Sequence, residues 1–272
     1  MSNPSGVHFL RDRRVIAALV QPVRPDELVV EFGAGPGVLT AALAGTRACV
    51  LAVERDAEFV ARLGRRFADR PWVRVVRGDL RRVPLPSRPY RVVANLPFAV
   101  TTAALRRLLD PAPGVLVGAD VLVEWGAARR LTAEKPRSAE VAWWAARYEL
   151  RIARRVPAAA FSPAPRVDAA HLVIRPRPVD PRALRPLRLL LTAAYAEPAW
   201  PVHAVLGAVV PRRRAHRIAR STGISPPTLA ADLAPSDWAA LAHSVIQLTS
   251  VTPGGAHLSH GRPHRNDIGS TP

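Results

Sequence analysis

Asn95-Leu96-Pro97-Phe98 holds the residue types best suited to chemistry at an amine. The exocyclic amine of adenine is a poor nucleophile because its lone pair is delocalised into the ring, so an enzyme must gather hydrogen-bond acceptors around it. The Asn95 side-chain oxygen and the Leu96 carbonyl can serve. Pro97 has no N–H and a fixed φ, which leaves the Leu96 carbonyl free to point at a substrate, and Phe98 offers a face on which a base can stack. The set suggests methyl transfer to an amine, although a strand end followed by a turn would contain the same residues.

Upstream, Glu31-Phe32-Gly33-Ala34-Gly35-Pro36-Gly37 forms a glycine-rich turn that leads through Val38-Leu39-Thr40 into helical sequence. Gly33 and Gly35 would let a small molecule approach the backbone there. The spacing is G-x-G-x-G, not the G-x-G-x-x-G of dinucleotide sites, and the preceding Glu31 suits a cationic amino-acid moiety. S-Adenosylmethionine, with its ammonium and sulfonium, fits this pattern as cofactor. Glu54, seventeen residues after Gly37 and followed by Arg55, is placed to accept both ribose hydroxyls. Asp79, followed by Leu80, is placed to accept from the cofactor's adenine amine. Each acid alone would serve equally as a helix cap or first-turn residue; three acids and a glycine turn at successive strand ends converge on one ligand.

The elements that must hold these residues alternate. Strand-like runs at Leu28–Phe32, Ala48–Glu54, Val73–Arg77 and Tyr90–Ala94 are separated by amphipathic stretches near Val38–Gly45 and Ala57–Ala68, which predicts βαβ units on a parallel sheet. Further runs at Val115–Glu124, Trp143–Arg154 and Ala169–Arg175 are expected to complete the sheet, with an antiparallel edge. Pro176-Arg177-Pro178 marks a domain boundary, beyond which 182–248 reads as short helices. There Arg213, Arg217 and Arg220 share one face if the segment is helical, as an RNA contact or as a solvated surface.

Composition sets the outer bounds. The 272 residues are 49% hydrophobic, enough for a sizeable core, and no apolar run reaches membrane-spanning length. With no signal peptide evident in Met1–Val7, a cytoplasmic protein is expected. Cys49, the single cysteine, excludes an intramolecular disulfide. Thirty-nine basic against 21 acidic residues give a net charge of +18, and all but Lys135 of the basic set is arginine, which favours a polyanionic partner. A Gly-, Pro-, Ser- and His-rich stretch at 251–272 reads as a flexible tail; its His257, His260 and His264 lack carboxylate partners, and no metal is expected.

Together these motifs resemble the rRNA adenine N6-dimethyltransferases, in particular the Erm type acting on 23S rRNA, over roughly Gly6 to Leu248. Besides the glycine turn, Val53-Glu54-Arg55-Asp56, Gly78-Asp79 and Asn95-Leu96-Pro97-Phe98, the resemblance includes His8-Phe9-Leu10 and Phe161-Ser162-Pro163-Ala164-Pro165-Arg166-Val167-Asp168-Ala169. It implies an α/β fold: a Rossmann-like S-adenosylmethionine-dependent methyltransferase sheet over 1–178 and a small C-terminal helical RNA-binding domain over 179–250. It further implies mono- or dimethylation of a 23S rRNA adenine before or during ribosome assembly, by a monomer with no membrane association, and resistance to macrolide, lincosamide and streptogramin B antibiotics. His8 and Leu10 would lie at the cofactor, His8 replacing the family's usual Asn, and Phe161 would close the other face of the base, where a core aromatic would fit as well. The alternatives are maturation of small-subunit (16S) rRNA by the same chemistry and a non-catalytic nucleic-acid-binding relative. A DNA adenine methylase fits less well, because Leu96-Pro97 stands where those enzymes carry Pro-Pro.

Overall fold

The computed structural model describes residues 8–111, 115–225 and 227–250. β1 (Phe9–Leu10) leads into α1 (Arg13–Val20), whose start is capped by Asp12, accepting from the Arg14 and Val15 N–H groups at 2.7 and 3.1 Å. The expected alternation follows: β2 (Leu28–Phe32), α2 (Val38–Gly45), β3 (Cys49–Glu54), α3 (Ala57–Arg66), β4 (Val73–Arg77) and β5 (Tyr90–Asn95). Next come α4 (Thr101–Leu109), β6 (Leu116–Glu124), α5 (Trp125–Leu131), α6 (Ala139–Arg147), β7 (Tyr148–Val156), β8 (Phe161–Ser162) and β9 (Ala169–Pro176). Four helices close the described chain: α7 (Leu184–Ala196), α8 (Val202–Leu206), α9 (Arg212–Ser221) and α10 (Pro235–Ser250).

Seven strands form one sheet in the order β4-β3-β2-β5-β6-β9-β7, all parallel except β9, which runs antiparallel to both neighbours. The chain winds outward from β2 through β3 to β4, then returns and winds the other way from β5. That reversal opens a crevice above the carboxyl ends of β2 and β5, where the glycine turn and Asn95 emerge. Alternate residues of the central strands face opposite cores: Val30, Phe32, Val92 and Ala94 belong to one apolar cluster, Val29 and Val93 to the other. β1 and β8 stand apart as a two-stranded ladder pairing Phe9 with Ser162 and Leu10 with Phe161.

Two expectations are corrected. The run from Trp143 to Arg154 is not one strand: Ser138 accepts from the Val141 N–H at 3.3 Å and starts α6, and the strand begins only at Tyr148. Alanine-rich sequence favours the helix, and Trp144 anchors it by donating to Asp110 at 2.8 Å. The antiparallel strand is not the edge, since β7 lies outside β9. Helices α4 and α5 were not foreseen. C-terminal to Pro176 the described residues are helical as expected, with one isolated bridge among them, Pro201 to Leu229. Its core is continuous with that of the sheet: Trp143 and Trp144 of α6 share a cluster with Leu187, Leu190, Trp238 and Leu241. Among the described residues no helix is long and apolar enough to cross a membrane. The tail at 251–272 lies outside the described residues.

Candidate active site

The crevice holds a cavity of about 380 Å³, within the range of small-molecule sites. The glycine turn forms its floor. Gly33 and Gly35 adopt φ of +72° and +51°, a left-handed backbone that side chains disfavour, and a Cβ on Gly35 would stand 3.1 Å from the Phe9 ring. Bare backbone is therefore what the cavity meets there. Phe9 and Phe59 pack edge to face at 5.7 Å on its wall.

Glu54, the last residue of β3, is fixed by three backbone groups. The Gly35 N–H donates to Oε2 at 2.9 Å, and the Arg55 and Asp56 N–H groups donate to Oε1 at 2.8 and 2.9 Å. A carboxylate has about four acceptor directions, so this arrangement leaves one, on Oε2, where contact with both ribose hydroxyls was expected. Asp79 sits two residues beyond β4 and is paired with Arg81 at 2.5 Å. Hydrogen bonds from Arg81 hold its carboxyl down to about 2.

Asn95, the last residue of β5, donates from Nδ2 to the His8 carbonyl at 2.7 Å. A carbonyl can only accept, so the amide cannot flip without setting oxygen against oxygen. Oδ1 is left as the available acceptor. His8 is itself tethered, Nδ1 lying 2.8 Å from the Pro163 carbonyl, to which it donates, and its ring lies 6.1 Å from that of Phe98. The Pro97 carbonyl accepts from Val100 N–H at 3.0 Å and Thr101 Oγ1 at 3.3 Å, which fixes the turn carrying Phe98. The Leu96 carbonyl accepts no hydrogen bond from the described residues, while the Leu96 side chain is core.

His8, Gly33, Gly35, Glu54, Arg55, Asp79, Leu80, Asn95, Leu96, Pro97, Phe98 and Phe161 thus meet around one cavity. Leu10 and Glu31 do not. Leu10 is buried in the core as the ladder partner of Phe161. Glu31 lies inside β2, 1% exposed, with Oε2 lacking a hydrogen-bond partner. Burial pushes its carboxyl up to about 8, with Thr40 pulling the other way and the nearby Glu54 carboxylate adding to the rise. Its burial disfavours the charged form and it does not line the cavity, so it does not stand where a counter-charge for an ammonium was expected. Sequence reasoning missed Phe9, Phe59 and Arg81 as lining residues; Phe59, in the first turn of α3 beyond the Glu54 strand end, was the most accessible signal.

Residues 3–247 match the family model described as ribosomal RNA adenine dimethylase. The chain belongs to that family. It is an S-adenosylmethionine-dependent rRNA adenine N6-methyltransferase, and the lining fits that cofactor: bare glycine backbone, fixed carboxylates at two strand ends and an aromatic wall. This methyltransferase is 34% identical to the mycinamicin-resistance protein MyrB of Micromonospora griseorubida, over 87% of this chain and 76% of the relative. It is 33% identical to ribosomal RNA small subunit methyltransferase A of Synechococcus, over 90% of this chain and 92% of the relative. The crystal structure of the 23S rRNA methyltransferase ErmE superposes with a TM-score of 0.74 at 27% identity, covering 88% of this chain and 100% of that one.

Proposed function

We propose that this methyltransferase adds one or two methyl groups to the N6 amine of a specific adenine in 23S rRNA and thereby confers macrolide, lincosamide and streptogramin B resistance. The chemistry rests on the locked Asn95 amide, whose Nδ2 is held by the His8 carbonyl at 2.7 Å. The choice of 23S rRNA rests on the full-length likeness to ErmE and on MyrB, whose name records resistance. We read 1–178 as the catalytic domain, 179–250 as an RNA-holding domain and the protein as a cytoplasmic monomer. Arg213, Arg217 and Arg220 are all exposed on α9, which supports an RNA-holding role.

In this reading the target adenine is flipped out of its RNA loop and stacks on Phe98. Phe161, 4% exposed, closes the back of the cavity. Asn95 Oδ1 and the Leu96 carbonyl accept the two amine N–H groups and aim the nitrogen lone pair away from the ring plane. S-Adenosylmethionine supplies a methyl already activated by its sulfonium. The nitrogen becomes more positive as its new bond forms, so both acceptors act more strongly on the transition state than on the ground state. The surplus N–H proton is released to water. Glu54 offers its free Oε2 direction to a ribose hydroxyl, and Asp79 offers its carboxylate to the cofactor's amine.

The second reading, methylation of 16S rRNA, is favoured by the near full-length similarity to the small-subunit methyltransferase. Incubating the purified chain with labelled cofactor and protein-free large- or small-subunit rRNA, then mapping the modified base, separates the two. Label confined to a large-subunit adenine supports the proposal; label confined to the small subunit replaces it with the second reading.

A further inference from the structure

Asp79 and Arg81 both line the cavity. The Arg81 main-chain N–H and Nε lie 2.8 and 3.0 Å from Asp79 Oδ1, while Nε and a terminal guanidinium nitrogen lie 3.1 and 2.5 Å from Oδ2. A carboxylate offers about four acceptor directions, and three N–H groups of a single residue two positions along take three of them, with the guanidinium spanning the edge between the two oxygens. An exocyclic amine that approaches the edge between the two oxygens finds it already taken by the guanidinium.

We infer that Arg81 competes with the cofactor's adenine amine for the Asp79 carboxylate, so that cofactor binding turns the guanidinium outward. The inference rests on the role given to Asp79 above. Arg81 has somewhere to go, since its side chain is 53% exposed. The same fork forms at Asp180 and Arg182, with contacts of 2.8, 3.2, 3.2 and 2.7 Å away from the cavity. The fork therefore arises from local Asp-x-Arg geometry alone, and at Asp79 that local preference falls across a ligand position. The adenine end of the cavity is occupied by the chain's own donor until the cofactor displaces it.

Calorimetric titration of the full chain with S-adenosylhomocysteine tests this. Arg81→Ala is expected to bind about two- to fivefold more tightly than the parent, the size set by loss of an exposed ion pair. The gap should narrow as salt screens the pair in the parent, and Arg182→Ala should leave affinity unchanged. Damage to the fold would weaken binding, so a gain cannot be mistaken for it. If Arg81→Ala binds equally or more weakly while Asp79→Asn is weakened, competition is overturned and the cofactor reading stands. If Asp79→Asn binds as the parent does, the role given to Asp79 fails and the inference fails with it.

Discussion

Position relative to the strand end separates the polar residues that reach the cavity from the one that does not. Glu54 and Asn95 are the last residues of their strands, whereas Glu31 precedes Phe32 and still obeys the strand's alternation, which turns it beneath the loop. Leu10 is likewise the inward partner of cavity-lining Phe9. The sequence revealed nearness to the turn but not side-chain direction, because a one-residue change in where a strand ends reverses the face. Asn95→Ala is expected to lower methyl incorporation into rRNA about 10²–10³-fold, as loss of a preorganised transition-state partner does; near-normal incorporation would remove Asn95 from the mechanism. Phe98→Ala should cost about 1–3 kcal/mol in kcat/KM for RNA, the worth of a stacked base, while Phe98→Tyr retains most activity. Glu31 gives a pH prediction. Burial pushes its carboxyl from the ordinary 4.5 up to about 8, so the folded state holds a proton that the unfolded state releases. The stabilisation is complete below about pH 4.5 and is lost as pH rises toward 8. Glu31→Gln should flatten the fall in thermal midpoint between pH 5 and 8; an unchanged slope would place the coupling elsewhere.

Helices and strands were readable where their periods differ and ambiguous where consecutive bulky residues hide the period. Trp143 and Trp144 are adjacent, so neither a two-residue nor a 3.6-residue repeat stands out, and the switch at Tyr148 was invisible until Ser138 was seen to cap α6. The central strands carry a buried charge network that no spacing announces. Asp120, on β6, accepts from Arg175 at 2.9 Å and Arg91 at 3.4 Å through Oδ2 and lies 3.1 Å from His171 through Oδ1, while Arg91 also pairs with Glu27 at 2.9 Å. Cross-strand pairing assembles it, and pairing order is not written in local pattern. Replacing Asp120 by Ala strands buried guanidinium charge and is expected to destabilise the fold by about 3–5 kcal/mol in chemical denaturation; a change below about 1 kcal/mol would mean that Glu27 suffices as counter-charge.

Over the whole molecule, net charge and its placement govern how RNA is approached. Among the described residues most arginines lie outside the ion pairs, and α9 displays Arg213, Arg217 and Arg220 on one exposed face. Reversing Arg213, Arg217 and Arg220 to Glu should weaken RNA binding and reduce the slope of log affinity against log salt by about 2, with S-adenosylhomocysteine affinity unchanged. An unaltered salt slope would assign the RNA backbone to another surface. Another whole-chain property follows from the β1–β8 ladder. His8 closes over Asn95 and is itself tied to Pro163, so residues 155 apart in sequence meet at one atom pair. During synthesis, the glycine turn, both carboxylates and Asn95 all emerge before the segment that holds the roof. A nascent chain that ends before Phe161 holds the glycine turn, Glu54, Asp79 and Asn95 but lacks both the second strand of the ladder and the carbonyl that tethers His8.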